Sequence, residues 1–467
     1  MTHWIPIFAI LLAAALGAET IDRTKPPETP PLAAFKLPPV TESALANGLR
    51  VVLVEDRRFP LVTLRLAFSA GSKFDPTETS GLAETVAALL KEGTPKRTSR
   101  QIAEELTSLG ANLNTTVSAD NLVVAASVLA ENTPKLLDLV VDVARNASFP
   151  EDEIKLRKQN REQELIDARS RANTLAAEKF AALVFGSHPY GRILPTAESI
   201  ARIDRAALVS YRDRLLVPNN AVLILIGALP PKDEALKLAA SKFGDWAKKP
   251  LPAPPAAKFP EPSRRLVLVD RPGSVQADIR AGQIGVPRTH PDYFPLVVGN
   301  SILGGGGSSR MFLNIREEKG FAYDAHSELQ ANKDASLFAA VTQVRNEVIG
   351  DAMEALLGEL EGMGQAHVKP QELTDVKNYL NGIFVIRMET QNGLANQLSM
   401  TRTMGLPESY LEMYVTRIRS VEPDQIQNVA KKYFKPGDAA IVVVGDAQKL
   451  AKPLEKFGSV TIEKAKP

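Results

Sequence analysis

Two side chains in the second half of the chain have types and a spacing that could bind a polypeptide backbone. Arg316 and Tyr323 lie seven residues apart. Both donate hydrogen bonds, the guanidinium as a fixed cation and the phenol through one O–H group. Carbonyl oxygens are natural acceptors for such donors. The residue types alone are also compatible with an ordinary helix end, in which Arg316 is solvated and Tyr323 is half-buried.

A run of small residues precedes this pair. It comprises Gly304, Gly305, Gly306, Gly307 and Ser308. Consecutive glycines cost backbone entropy and place no side chain at the surface, which a chain accepts where another backbone must come close. The functional interpretation is therefore a substrate-binding loop. The alternative is a flexible turn before the helix that the pattern predicts over 310–319, with Gly320 as its stop.

The composition is that of a globular protein and excludes several classes of function. The 467 residues are 44% hydrophobic and 24% charged, and the length predicts at least two domains. The net charge is +2 with basic and acidic residues interspersed, so the sequence has no basic stripe for nucleic acid. The absence of cysteine excludes disulfides, thiolate catalysis and cysteine zinc ligands.

The histidines are too scattered to indicate a metal site. They are His3, His188, His290, His326 and His367. No two lie within one or two helical turns of each other, whereas a helical zinc motif needs two ligands one turn apart. No spacing therefore predicts metal binding by histidine.

The first 18 residues are predicted to be a secretory signal. Residues 7–16 are apolar and Ala18 is a suitable cleavage site, although no Lys or Arg precedes the apolar run. Residues 19–40 read as a proline-rich leader. The chain is therefore expected to be exported, and retention of the signal as a membrane anchor is the alternative.

The pattern of strands and helices occurs twice. Residues 50–54 (RVVLV) match residues 265–269 (RLVLV), 215 positions later. A proline and a glycine nine residues apart bracket an apolar strand in both copies, at 218–227 and 436–445. Each copy mixes paired strands with amphipathic helices. The predicted fold class is therefore α+β, a tandem duplication of two homologous domains in a clam-shell, each with a mainly antiparallel sheet packed with helices.

The duplication also predicts the domain boundaries. The N-terminal domain is expected over 41–247 and the C-terminal domain, which carries the glycine-rich loop and the Arg/Tyr pair, over 264–460. The linker between them, 248–263, is rich in proline and therefore semi-rigid.

Five motifs resemble those of the pitrilysin/insulinase metallopeptidase family, in its short two-domain bacterial form. They are Gly81-Leu82-Ala83, Gly93-Thr94 with Arg97, residues 110–114, HPYGR at 188–192, and residues 303–323. The resemblance covers about residues 41–460. His188 is not a ligand in this family, so the resemblance implies a structural role for it.

In active members of that family, the segment after the first motif carries the zinc-binding sequence H-x-x-E-H. The matching positions here are Glu84, Ala87 and Ala88. Alanine neither ligates zinc nor acts as a base, although a Glu at position 84 could bind a cation. The remaining family ligand matches Glu164, which is expected to be a solvated or paired helix carboxylate. The resemblance thus implies no metal cofactor in this chain.

The resemblance gives Arg316 and Tyr323 a catalytic role. In the family an arginine and a tyrosine at this spacing reach the substrate carbonyls beside the scissile bond. Some members divide the zinc motif and this pair between two chains, and this chain resembles the zinc-less, Arg/Tyr-bearing one. The implied function is a non-catalytic subunit of a periplasmic heterodimeric zinc endopeptidase. A homologous partner would carry H-x-x-E-H and the zinc, and a peptide or unfolded protein would be the substrate.

Two other functions stay open. The first is a scaffold or peptide-binding protein of the same fold, which the intact pair of Arg316 and Tyr323 disfavours. The second is an active peptidase with substitute ligands, which Ala87 and Ala88 disfavour. Asn114 matches a family asparagine on an edge strand that receives peptide by strand addition. Because this half lacks the zinc motif, Asn114 is not assigned to the catalytic set.

Overall fold

The computed structural model describes residues 35–256 and 258–465, and the residues from Lys36 onward belong to one compact unit. The predicted signal (1–18) and most of the predicted leader (19–40) lie outside the described residues. No helix within the described part is long and apolar enough to cross a membrane.

Each half is built on one sheet, which has six strands among the described residues. The strands of the first half are β1 (Val40–Ala44), β2 (Arg50–Glu55), β3 (Leu61–Phe68), β4 (Asn114–Val117), β5 (Leu122–Leu129) and β6 (Ala221–Gly227). Those of the second half are β7 (Arg265–Asp270), β8 (Gln276–Gly285), β9 (Ala322–Ala331), β10 (Ser336–Arg345), β11 (Ala440–Gly445) and β12 (Val460–Lys464).

The two sheets have equivalent strand orders. The first runs β1-β2-β6-β3-β5-β4 and the second β12-β7-β11-β8-β10-β9, so the last five strands correspond one to one. β2 pairs with β6 in parallel, as β7 does with β11, and the strands beyond them are antiparallel. The sheets differ at the other edge, where β1 is antiparallel and β12 is parallel to its neighbour. The predicted α+β duplication is confirmed.

Helices connect the strands in both halves. Those of the first half are α1 (Leu82–Leu89), α2 (Ser99–Ser108), α3 (Thr133–Asn146), α4 (Glu151–Ser170), α5 (Ala172–Phe185), α6 (Ala197–Arg202), α7 (Arg205–Leu215) and α8 (Lys232–Phe243). Those of the second half are α9 (Tyr293–Gly304), a π-helix (Phe312–Glu318), α10 (Ile349–Gln365), α11 (Pro370–Met388), α12 (Gln391–Met404), α13 (Tyr410–Arg419), α14 (Pro423–Tyr433) and α15 (Ala447–Leu454).

Alternate residues of the first sheet point to opposite faces. One face, which includes Leu64, Leu66 and Leu225, packs against helices of its own half. The other face, which includes Val52 and Ile224, is equally buried. It is covered by α12, which comes from the second half and packs on β3 and β6.

The second sheet is covered in the same way by a helix of the first half. Phe180 and Val184 of α5 share a buried cluster with Val444 of β11. α5 begins at Ala172 and α12 at Gln391, 219 positions later, so they are the same helix of the duplicated unit. Each half therefore covers one face of the other half's sheet.

A buried polar cluster also joins the two halves. Lys73 Nζ lies 2.7 Å from Asp120 Oδ1 and 3.2 Å from Asp334 Oδ2, with its side chain 4% exposed. The Tyr190 hydroxyl lies 2.7 Å and 3.0 Å from the same two oxygens. Burial and the adjacent carboxylates raise the pKa of Tyr190, so it remains a hydrogen-bond donor. The backbone N–H of Lys333 donates to Asp120 Oδ2 at 2.8 Å. Because Lys333 and Asp334 come from the second half, the cluster fixes the relative position of the halves.

His188 has the structural role that the sequence predicts. Its side chain is buried, and Nδ1 accepts a hydrogen bond from the N–H of Tyr190 at 3.2 Å. Burial lowers its pKa, which favours the neutral imidazole. The ring centre lies 4.6 Å from that of Phe259, which belongs to the predicted linker. The loop around His188 therefore anchors the linker against the body of the protein.

We expect Lys73→Met to destabilise the contact between the halves strongly. The change leaves Asp120 and Asp334 as buried or half-buried carboxylates without their cation, a type of loss that costs about 3–5 kcal/mol. Urea unfolding followed by circular dichroism should show a clearly lower midpoint. Arg100→Met is the control, since the Arg100–Glu104 pair is 88% and 60% exposed and should contribute little. Equal midpoints for both variants would contradict the proposed role of Lys73.

Candidate functional site

The positions that match the zinc motif lie on helix α1. Ala87 is 4% exposed and belongs to the hydrophobic core of the first half. Glu84 points away from that core, with its side chain 39% exposed. Neither Ala87 nor Ala88 offers a ligand atom, so only one residue of this segment could approach a metal.

An arginine lies between the two carboxylates at the family's ligand positions. Arg161 of α4 forms an ion pair with Glu84 and another, at 3.1 Å, with Glu164. Arg157 approaches Glu164 at 2.8 Å. Partial burial raises the pKa of Glu164, but hydrogen bonds from Arg157 and Arg161 outweigh this and hold it below its usual range. Glu164 is thus a paired helix carboxylate, as predicted.

The residues at this place do not fit a zinc ion. Among the described residues, no group of three or more His, Asp or Glu side chains is arranged to hold a metal. The guanidinium of Arg161 already supplies the positive charge between Glu84 and Glu164. A cation bound there would have to displace Arg161 and would meet two carboxylates at most.

A cavity of about 180 Å³ opens beside Glu84, and residues of both halves line it, among them Tyr190, Gln330 and Asn332. Asp75 also lines this cavity and accepts hydrogen bonds at 3.0 Å from the N–H groups of Gly81 and Ala83 at the start of α1. Burial raises the pKa of Asp75 to about 7. The two hydrogen bonds that the Asp75 carboxyl group accepts position the first turn of α1.

The glycine-rich run divides into a buried and an exposed part. Gly304 is the last residue of α9, and a Cβ there would lie 2.1 Å from the backbone nitrogen of Ser327 in β9. The close approach that requires glycine at 304 is thus to the protein's own edge strand. Gly305, Gly306, Gly307 and Ser308 are exposed. These four can still face a substrate, and their predicted role stays a prediction.

The segment after the run is a π-helix, where the pattern predicts a helix over 310–319. The N–H of Lys319 donates to the carbonyl of Asn314, five residues back. Apolar residues four apart, such as Met311 and Ile315, fit either helix type, so periodicity does not separate them. Gly320 follows with φ of 61°, the left-handed conformation expected of a helix stop. π-helical turns often occur at functional sites.

Two ionic and polar contacts fix the π-helix to the rest of the second half. Arg310 donates two hydrogen bonds, at 2.8 and 2.7 Å, to Glu372 at the start of α11. Asn314 donates to Glu359 of α10. The bidentate geometry of the first contact holds the start of the helix in one orientation.

The structure brings Arg316 and Tyr323 together. The guanidinium carbon of Arg316 lies 4.8 Å from the centre of the Tyr323 ring and 4.6 Å from that of Phe312. The Nε atom of Arg316 lies 3.3 Å from Glu317 Oε1. Tyr323 is 84% exposed, not half-buried. The pair therefore presents hydrogen-bond donors at the surface, with the guanidinium over the phenol ring.

Tyr323 and Asn114 occupy comparable places in the two sheets. Tyr323 is the second residue of β9, the edge strand of the second sheet, and Asn114 is the first residue of β4, the edge strand of the first. Asn114 is exposed, as the interpretation of an edge-strand residue requires. Both residues are thus accessible from the side of their sheets.

Comparison with known families identifies this class of protein. Residues 50–197 match the model "Insulinase (Peptidase family M16)" and residues 202–380 match the model "Peptidase M16 inactive domain". The chain belongs to the M16, or insulinase, family. Because Glu84, Ala87 and Ala88 stand at the positions of the zinc motif, it is a non-catalytic member.

Similar proteins include both zinc proteases and subunits of a processing peptidase. The uncharacterized zinc protease YmxG of Bacillus subtilis is 23% identical over 83% of this chain and 94% of its own length. A probable mitochondrial-processing peptidase subunit beta of Arabidopsis thaliana is 25% identical over 88% of this chain and 80% of its own. The crystal structure of a peptidase M16 inactive domain from Pseudomonas fluorescens has a TM-score of 0.80 at 26% identity, covering 87% of this chain and 98% of that one.

Sequence reasoning missed two residues of these sites. Phe312 is not among the predicted site residues, although its position four residues before Arg316 is a spacing at which helical side chains meet. Arg161 was not singled out, although it lies three residues before Glu164. The ion pair with Glu84 could not be deduced, because the two residues are 77 positions apart.

We expect Arg161→Ala to destabilise the first half modestly, because it removes the positive charge that pairs with two carboxylates. Glu84 and Glu164 are then left without the guanidinium between them, and partly exposed pairs of this kind contribute about 1 kcal/mol or less each. The measurement is the urea midpoint at low ionic strength. Adding Glu84→Gln to Arg161→Ala should recover part of the loss, because it removes one of the two like charges. If the double variant is no more stable than the single one, Arg161 stabilises the first half through packing and not through its charge.

Proposed function

We propose that this chain is the non-catalytic subunit of a heterodimeric zinc metalloendopeptidase. In this proposal a homologous partner carries H-x-x-E-H and the zinc ion. This chain supplies Arg316 and Tyr323 to the substrate, with Gly305 to Ser308 as a substrate-facing loop. The substrate is a peptide or an unfolded protein, and the complex is exported to the periplasm.

The arrangement of Arg316 is the observation that carries this proposal. Its guanidinium lies over two aromatic rings, and its outer nitrogens have no hydrogen bond to another described residue. A side chain with four rotatable bonds loses conformational entropy when it is held in this way. Tyr323 likewise exposes most of a large aromatic side chain. Donors of this pair that have no hydrogen bond within the described residues are available to an acceptor on another molecule.

The chemistry follows from what the two donors can reach. During peptide hydrolysis the scissile carbonyl oxygen becomes negatively charged, and donors that point at it strengthen their hydrogen bonds in the transition state. Tyr323 can donate its single O–H to that oxygen. Arg316 can bind a neighbouring carbonyl through its outer N–H groups and hold the substrate in register. Zinc, when bound in the partner, supplies the activated water.

The relatives support a divided arrangement of this kind. One of them is named as the beta subunit of a mitochondrial-processing peptidase, which makes it part of a complex, and others are named as zinc proteases. A chain that keeps the fold, lacks the zinc ligands and presents the donor pair is consistent with one member of such a complex. A scaffold or peptide-binding protein of the same fold is the alternative, and it gives no reason for the position of Arg316 over two aromatic rings.

We expect the purified chain alone to cleave no peptide and to hold no stoichiometric zinc. Activity should appear only when it is mixed with a homologous chain that carries H-x-x-E-H from the same organism. The measurements are elemental analysis and hydrolysis of a fluorogenic peptide, with each chain alone as the control. One zinc per chain with chelator-sensitive cleavage by this chain alone would contradict the proposal. Failure of any such homologue to co-purify would favour the scaffold.

We expect Tyr323→Phe to reduce turnover by the reconstituted complex at least about tenfold. The change removes one donor to the developing oxyanion, a loss that typically costs about 10²–10³ in kcat. The ring remains, and because it is 84% exposed the melting temperature should barely change. Steady-state kinetics on the assembled complex provide the test, and Tyr379→Phe, on another exposed tyrosine, is the matched control. Unchanged turnover would show that Tyr323 is structural.

A further inference from the structure

Phe312 links the glycine-rich loop to Arg316. Its ring centre lies 4.6 Å from the guanidinium carbon of Arg316. A Cβ placed at Gly307 would lie 3.8 Å from Phe312 Cε1, so the glycine-rich loop passes close to the ring. The ring is therefore near both the exposed loop and the cation, and it is itself partly buried.

The backbone that carries Phe312 is fixed more firmly than Arg316 itself. Met311, which immediately precedes the π-helix, and Ile315 within it are fully buried. Arg310, two residues before Phe312, forms the bidentate contact with Glu372. A ring on so anchored a segment has little freedom to move away from the guanidinium.

Arg316 needs such a restraint because its polar contacts do not provide one. The contact from Nε to Glu317 is 3.3 Å long, and Glu317 is itself 56% exposed. Tyr323, the second ring over the guanidinium, is 84% exposed. Aromatic faces attract cations and favour the flat stacking of a guanidinium. Of the two rings, Phe312 is the one whose own position is fixed by buried neighbours.

We propose that Phe312 is a positioning residue, which stacks on Arg316 and directs its outer N–H groups toward the carbonyl groups of a bound peptide. This inference rests on the proposed function of Arg316 and adds a determinant of its geometry. It predicts that an aromatic ring is required at position 312 and that apolar character alone is insufficient.

The experiment compares Phe312→Leu, Phe312→Trp and Arg316→Ala in the full chain. Leu keeps an apolar side chain at position 312 but has no π face, whereas Trp restores one. Leu313→Ala is the control, since Leu313 is the next residue of the same helix and is 49% exposed. The first readout is the NMR chemical shift of the Arg316 Nε–H proton, which the ring current of a nearby aromatic side chain changes. The second is the affinity for a fluorescent, N-acetylated and C-amidated dodecapeptide of Ala, Ser and Leu, which offers carbonyl groups but no charge.

We expect Phe312→Leu to move the Nε–H signal toward that of a free arginine and to weaken peptide binding about threefold to tenfold. Phe312→Trp should restore both, and Leu313→Ala should change neither. If Arg316→Ala weakens binding while Phe312→Leu changes neither readout, the positioning role is wrong and the proposed function stands. If Arg316→Ala leaves both binding and turnover of the complex unchanged, the proposed function fails, and the role of Phe312 in binding fails with it.

Discussion

The apolar face that each sheet leaves uncovered by its own half is the constraint on which this fold depends. β2, β3 and β6 carry buried residues on both faces, and the helices of the first half cover only one of them. α12 covers the other, and α5 does the same for the second sheet. Polar contacts between the halves then become possible, because the exchange excludes water around Lys73, Asp120 and Tyr190. The cavity beside Glu84, which residues of both halves line, owes its fixed shape to this exchange.

The two halves share a duplicated framework but carry different side chains at the surface. In the first half, Glu84 stands where active members have a histidine, Glu164 stands at the remaining ligand position, and Arg161 balances the charge of both carboxylates. In the second half, the loop after α9 and the π-helix present Arg316 and Tyr323 to the solvent. In the first half, an internal ion-pair cluster thus occupies the place of the family's metal site. In the second half, the outer nitrogens of Arg316 have no hydrogen bond to another described residue.

Much of the framework could be predicted from the sequence because it depends on local patterns. The duplication, the strands at 50–54 and 265–269, and the left-handed glycine stop at Gly320 all appear as predicted. The exchange of α5 and α12 could not be predicted, because periodicity shows that a helix has an apolar face but not which sheet it covers. The same limit applies to Gly304, where the predicted neighbour was a substrate and the observed one is Ser327. The resemblance gave Arg316 and Tyr323 their predicted role, but only the structure shows that the ring of Phe312 also lies beside the Arg316 guanidinium.

The exchange of helices has a consequence for synthesis on the ribosome. β6 is complete once Gly227 has been made, but its second partner, α12, ends at Met404. At about 5–20 residues per second, the intervening 177 residues take about 10–35 s to translate. Until α12 has been made, the face of the first sheet that includes Val52, Val222 and Ile224 cannot be buried as it is in the finished protein. This delay suits the export proposed above, because a first half that cannot cover its sheet cannot complete its fold while the chain is still being made.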